Sequence, residues 1–173
     1  MPKKLTAGTA LPAMTVPRLG GGDLTLGTGS PDWQMVVVYR GKHCPICHTY
    51  LTGLQELLPT FAAAGVEVVA VSADPEDKAQ AIVDELGLTL PVGYGLTPAQ
   101  MIELGIYVSQ SRKDSDPGWP FAEPALFVVD QSGALNMIDQ SNMPFARPDL
   151  AAMAKGIAFV RSADYPLRGT YPD

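Results

Sequence analysis

Both cysteines and both histidines of the chain fall in one stretch, His43-Cys44-Pro45-Ile46-Cys47-His48, with Arg40 and Lys42 just before it. A thiol is a nucleophile only as the thiolate, and a helix N-terminus favours that form through its unpaired N–H groups and positive dipole end. Cys44, followed by Pro45, is placed at such a terminus, because proline at the first helical position sacrifices no hydrogen bond. Arg40, Lys42 and a protonated histidine would act in the same direction. Cys47, three residues on, shares the helical face and lies within disulfide reach, so it can attack a mixed disulfide formed on Cys44. His48, one turn after Cys44, is placed to hold the thiolate or move a proton, or only to lie on the helix surface. Arg40 can tune the thiolate or pair with an acid such as Glu123, while His43 and Lys42 read first as loop residues in solvent.

A C-x-x-C that follows a strand and opens a helix is a redox signal, and three other readings compete with it. Cys44-x-x-Cys47-His48 has the letters of a c-type haem attachment site, which needs export and a second axial ligand. Zinc held by His43, Cys44, Cys47 and His48 would draw every ligand from one short stretch, whereas structural zinc sites draw on two separated pairs. Two inert, buried cysteines are the plain alternative. The expectation is therefore no metal and no cofactor, with Cys44 as nucleophile and Cys47 as resolving thiol.

Composition narrows the setting. The chain has 173 residues, 46% hydrophobic and 17% charged, which suits one packed domain and excludes overall disorder. A net charge of −6 argues against nucleic acid as a partner, since phosphate binding needs surplus Lys and Arg. No stretch reaches the roughly 18 continuous apolar residues of a membrane span. Lys3 and Lys4 open a mild apolar run that Thr6, Gly8, Thr9 and Pro12 interrupt, so no export signal is read and the protein is expected to be soluble and cytoplasmic.

The elements that must hold the motif can be read around it. Met14–Val16 and Leu24–Leu26 flank Gly20-Gly21-Gly22-Asp23 and suggest a small hairpin within 10–30. Gln34–Tyr39 is a β-branched run of the kind buried on both faces of a sheet. From Pro45, apolar residues at three- and four-residue spacing run through Leu51, Leu54, Leu57 and Phe61 as a helix, which Pro59 kinks or ends before Gly65. Val66–Val71 is a second buried strand. Asp74 as N-cap, Pro75 at the first turn and Glu76-Asp77 open a helix that stops at Gly87. A short strand near Leu90–Val92 and a capping box at Thr97–Gln100 follow. Ser109–Pro120, with Arg112, Lys113 and Trp119, reads as a polar loop that covers the thiol or lies exposed. Ala125–Val129 and Leu135–Ile138 form a hairpin about Asp130–Gly133. Pro148–Val160 is a last helix with Leu150, Met153, Ile157 and Val160 inward. One α/β domain accommodates this order.

The stretch Tyr39-Arg40-Gly41-Lys42-His43-Cys44-Pro45-Ile46-Cys47 resembles the alkyl hydroperoxide reductase / thiol-specific antioxidant group, the peroxiredoxin-like branch of the thioredoxin-fold proteins. The likeness continues through Val66–Ser72, Leu104-Gly105-Ile106 and Ala125–Gly133, over roughly residues 10–160. It implies a thioredoxin-like fold: a central mixed β-sheet flanked by helices, with an N-terminal β-hairpin extension at 10–30 and a core at 33–160 of a single domain spanning 1–173. It also implies that Pro124 stands where such proteins keep a cis-proline facing the thiol, exposing the preceding backbone to a substrate chain.

Two departures bear on activity. The pattern Pro-x-x-x-Thr/Ser-x-x-Cys fails in both frames, with Val37 and Gly41 before Cys44 and Arg40 and Cys44 before Cys47. A second arginine expected near the last core strands is replaced by Glu123-Pro124. The first expectation is thus a thiol–disulfide oxidoreductase. The alternatives are a thiol peroxidase that works through a Cys44 sulfenic acid, or a non-catalytic redox-sensing or binding module. The implied partners are a disulfide or peroxide substrate, a thiol reductant such as a thioredoxin or glutathione system, and a second copy in a possible homodimer. Neither nucleic acid nor membrane is expected.

Overall fold

The computed structural model describes residues 5–28, 32–112, 114 and 117–171; Lys3, Lys4, Ser30, Lys113 and Asp116 lie outside them. Met14–Pro17 (β1) and Asp23–Leu26 (β2) pair antiparallel. Gly20, Gly21 and Gly22, at φ of 84°, 102° and 78°, make the turn in a backbone region closed to most side chains. Trp33–Val38 (β3) is buried along its whole length and leads to the helix Pro45–Ala63 (α1). Val66–Val71 (β4), Glu76–Leu86 (α2), Val92–Gly93 (β5) and Pro98–Glu103 (α3) follow. Val108–Ser109 (β6), Phe121–Ala122 (β7), Ala125–Val129 (β8), Leu135–Gln140 (β9) and Leu150–Ser162 (α4) complete the order.

The central sheet has the order β5-β4-β3-β8-β9, with β3 parallel to β4 and antiparallel to β8, so it is mixed. Because side chains alternate along a strand, β3 feeds two cores. Met35 and Val37 join Leu51 and Leu54 of α1, Ile82 of α2 and Ala154 and Ile157 of α4. Val36 and Val38 face the other way, onto Val16, Leu24 and Leu26 of the hairpin and Met101 beside them. The sheet is thus covered by three helices on one face and by the hairpin and α3 on the other. Arg161 of α4 donates to the carbonyls of Ala64 and Gly65, tying α4 to the end of α1.

Several local expectations are met. The Thr97/Gln100 capping box forms reciprocally, and Pro45 occupies the first turn of α1. Others are corrected. Pro59 does not end α1, which runs on to Ala63. Asp74 does not cap α2; the N-cap is Pro75, without a side-chain bond, because the Asp74 carboxylate accepts from the Lys42 backbone N–H at 2.7 Å. A tertiary partner has outcompeted the local one. Ser109 is not loop but the end of β6, paired with Phe121 of β7. Helix α4 opens at Leu150 rather than Pro148, capped by Asp149. Among the described residues no helix is long and apolar enough to cross a membrane.

Asp74 is 1% exposed. Burial pushes its carboxyl up to about 6, against the pull of the Lys42 N–H. A carboxyl raised above its unfolded range adds stability in acid that is lost as pH rises through about 6. Asp74→Asn keeps an acceptor for Lys42 and removes the buried charge. It is expected to stabilise the fold at neutral pH by about 1 kcal/mol, after allowance for solvent screening, and to lose that advantage toward pH 4. Urea unfolding at the two pH values measures the difference.

Candidate active site

The chain leaves β3 at Val38, passes the buried Tyr39 and reaches Gly41 at φ 138°. A Cβ on Gly41 would stand 2.5 Å from the Asp74 carboxylate, so glycine is required both by conformation and by space. The next residues are pinned from several sides. Asp74 holds the Lys42 N–H, the Gly41 carbonyl accepts from Cys44 N at 3.1 Å, and Lys42 Nζ pairs with Glu85 of α2 at 3.2 Å. Cys44 is thereby set as the N-cap of α1 with extended backbone, and its sulfur accepts from the Cys47 N–H at 3.4 Å. A sulfur does here what a Ser or Asp oxygen does at most helix starts.

Each thiol has its own arginine. Arg40 Nη1 lies 3.7 Å from Cys44 Sγ, and its Nε lies 3.0 Å from the Glu123 carboxylate. Its guanidinium also covers the Phe121 ring at 4.8 Å. Glu123 is held in turn by the Ser109 hydroxyl at 2.6 Å, so the β6–β7 hairpin orients the arginine. Arg147 Nη2 lies 2.9 Å from Cys47 Sγ. Its Nε donates to the Pro144 carbonyl at 2.6 Å, and its face rests on the Tyr50 ring at 4.9 Å. Both cysteines are free thiols, 1% and 0% exposed.

The two sulfurs divide one charge unequally. The Cys47 S–H, the Cys47 backbone N–H and Arg40 together bring Cys44 down to about 5, against the opposing effect of burial. Cys47 moves the other way: its proton is held by the Cys44 thiolate, and burial adds to this, with Arg147 pulling downward. Near neutral pH the pair is a Cys44 thiolate beside a Cys47 thiol. This arrangement can deliver a nucleophilic sulfur and then a second sulfur within one helical turn.

The remaining residues singled out in the sequence are dispersed around this pair. Arg40 makes both contacts open to it, thiolate and Glu123. His48 reaches neither sulfur; its Nε2 lies 2.8 Å from the Lys42 carbonyl and its Nδ1 3.5 Å from Glu85. His43 sets its ring edge-on to Phe121 at 4.7 Å and lines a cavity of about 160 Å³ with Lys42, Asp74, Lys78, Pro117 and Trp119. Pro124 is buried and borders a small void with Tyr50, Asp139 and Arg147. No group of three or more His, Cys, Asp or Glu among the described residues is placed to hold a metal. Arg147 escaped the sequence reading. It lies in the segment between β9 and α4, 100 residues beyond Cys47, where no local spacing signals its approach to the thiol.

The AhpC/TSA family matches this chain over residues 7–138. A putative peroxiredoxin of Mycobacterium tuberculosis is 30% identical over 89 residues, 51% of this chain and 57% of that protein. The chain thus spans little more than half the length of the curated relatives it matches. In structure it is similar to a peroxiredoxin 6 of Arenicola marina, with TM-score 0.75, 16% identity, and coverage of 93% of this chain and 76% of that one. A peroxiredoxin-like protein from Aquifex aeolicus gives 0.75 at 15% identity, covering 90% and 87%. The peroxidoxin BcpB of Mycobacterium tuberculosis gives 0.71 at 17% identity, covering 92% and 98%.

Removing the cation beside Cys44 tests the electrostatics directly. Arg40→Met is expected to raise the Cys44 thiol, so that alkylation by iodoacetamide near pH 5.5 slows roughly threefold while the rate above pH 8 changes little. A pH series of alkylation rates, with modified peptides identified by mass, gives the result.

Proposed function

The chain belongs to the AhpC/TSA family, and from that premise we propose that it reduces hydroperoxides at Cys44, with Cys47 as the resolving thiol. One observation carries the choice of oxidant: the Cys44 sulfur is pulled toward the thiolate by Cys47 and Arg40, yet its residue is 1% exposed. A small hydroperoxide needs little room to reach such a sulfur. A protein disulfide must bring a sulfur in line with the thiolate and its own backbone along with it. Burial therefore supports peroxide reduction over the disulfide exchange that the sequence favours.

In the first step the Cys44 thiolate attacks one peroxide oxygen. The O–O bond breaks, water or an alcohol leaves with a proton, and Cys44 becomes a sulfenic acid. Arg40 is within reach of charge moving from sulfur to the departing oxygen, and Glu123 keeps its guanidinium turned to the site. In the second step Cys47 forms a bond to the Cys44 sulfur and water leaves. Two reducing equivalents from a thiol reductant of the thioredoxin or glutathione type then restore both thiols. A dithiol that must be returned to the reduced state fits a cytoplasmic setting. Association into a homodimer belongs to the same proposal, supported by Ile102 and Tyr107, each left 52% exposed, and checked by sedimentation velocity.

Dithiol–disulfide exchange is the second reading, favoured by two thiols within one turn of a helix start. Stopped-flow mixing of the reduced protein with hydrogen peroxide separates the two. The expected result is consumption of one peroxide per dithiol, at a rate at least about a hundredfold above free cysteine. That rate should stay level from pH 6 to 8 and fall as Cys44 is protonated below about 5. Cys44→Ser should abolish it. A rate no faster than free cysteine, with rapid reduction of insulin disulfides, would establish exchange instead. Indifference of both reactions to Cys44→Ser would leave a non-catalytic sensor.

A further inference from the structure

Cys47 is in contact with a cation that the C-x-x-C spacing does not account for. The 2.9 Å separation of Arg147 Nη2 and Cys47 Sγ is shorter than the 3.7 Å between Arg40 and Cys44. The guanidinium is held by the Pro144 carbonyl and by the face of Tyr50, whose hydroxyl donates to the Pro148 carbonyl at 2.9 Å. Whereas Arg40 shares its charge with Glu123, no carboxylate among the described residues forms an ion pair with Arg147. Its Nη1 is buried with no hydrogen-bond partner. An undischarged arginine is thus fixed against a sulfur that, in the reduced protein, keeps its proton.

We propose that Arg147 is a positioning residue for the second step: it holds Cys47 as the thiolate that attacks Cys44 once Cys44 has been oxidised. The inference rests on Cys44 being the first sulfur to react. In the reduced protein the negative Cys44 sulfur accepts the Cys47 proton and opposes a second charge beside it. Conversion of Cys44 to a sulfenic acid, or to a mixed disulfide, removes that charge. What remains around Cys47 is burial on one side and, on the other, the charge of Arg147 with a hydrogen bond from the Arg40 backbone, while Asp139 lines the void beside Arg147. Cys47 then releases its proton, its sulfur bonds to the Cys44 sulfur, and the Cys44 S–O bond breaks. The departing hydroxide takes up a proton as water. No electrons are needed beyond those already passed to the peroxide. The order of charges also keeps the two sulfurs from competing, since peroxide meets one thiolate and the second forms after the first is spent. Arginine suits the position because one planar group meets a carbonyl, an aromatic face and a sulfur together, which an ammonium does not do.

Cys44→Ser reproduces the uncharged neighbour without needing peroxide, and there the titration of Cys47 can be followed by alkylation rate against pH. In that background Cys47 is expected to titrate lower than it does beside the native Cys44 thiolate. Adding Arg147→Met should slow its alkylation at neutral pH by about tenfold and move the profile upward. Arg147→Lys, which keeps the charge, should recover part of the shift and guards against a general loss of structure. In the otherwise native chain, quenched-flow mass analysis after one equivalent of peroxide should show sulfenic acid outlasting its normal lifetime in Arg147→Met, with the deficit shrinking in alkali. An unchanged Cys47 profile in the Cys44→Ser, Arg147→Met protein overturns the proposal. Failure of the native chain to form sulfenic acid overturns the peroxidase reading instead, and leaves the Cys47 titration to decide the role of Arg147.

Discussion

A negative sulfur shut away from water must be stabilised entirely by the protein, and much of this molecule answers that one requirement. Cys44 has almost no solvent contact, so the hydration that would carry a thiolate in solution is replaced by fixed donors. The Cys47 N–H is available because the first N–H groups of a helix have no intrahelical acceptor. The Cys47 S–H is available because the second cysteine stands one turn on. Arg40 arrives because β3 ends where α1 begins, in the middle of the sheet. Each donor is a consequence of where the strand hands over to the helix.

The elements around the handover serve its rigidity. Gly41 allows the chain to turn against Asp74, and Asp74 gives up capping its own helix to hold the Lys42 N–H. Lys42 is in turn tied to Glu85 and to His48, so α2 and the start of α1 are linked through the loop that carries the thiol. On the other side the short β6–β7 hairpin contributes Phe121, Glu123 and, through Ser109, the orientation of Glu123. The buried Glu123 carboxylate meets the Ser109 hydroxyl through one oxygen and the Arg40 guanidinium through the other, so it links the hairpin to the thiol loop.

The parts of this arrangement that depend on neighbouring residues were legible in the sequence. The β-branched run of β3, the proline after Cys44 and the Thr97/Gln100 box each act over a few residues, and each formed. Asp74 departs from its local role as an N-cap because a partner 32 residues earlier, which no spacing announces, claims its carboxylate. The β6–β7 pair leaves no mark in the sequence because two residues per strand carry too little periodicity to stand out from a loop. Arg147 was invisible for a stronger reason. Beside Pro148 and the Asp149 cap it reads as an ordinary helix approach, and only the docking of α4 on α1 brings it to Cys47. His48 shows the converse: adjacency in the chain suggested chemistry, but its ring is occupied by Lys42 and Glu85.

The two arginines enter from opposite halves of the chain, one at the end of β3 and one after the last strand. During synthesis the dithiol and Arg40 emerge long before Arg147. A growing chain that has reached β9 holds the whole motif and the central strands, yet its second sulfur has no cation. In such a chain the surroundings of Cys47 stay half built until residue 147 has been added. The environment of the second sulfur is therefore assembled in an order set by the 100 residues between positions 47 and 147.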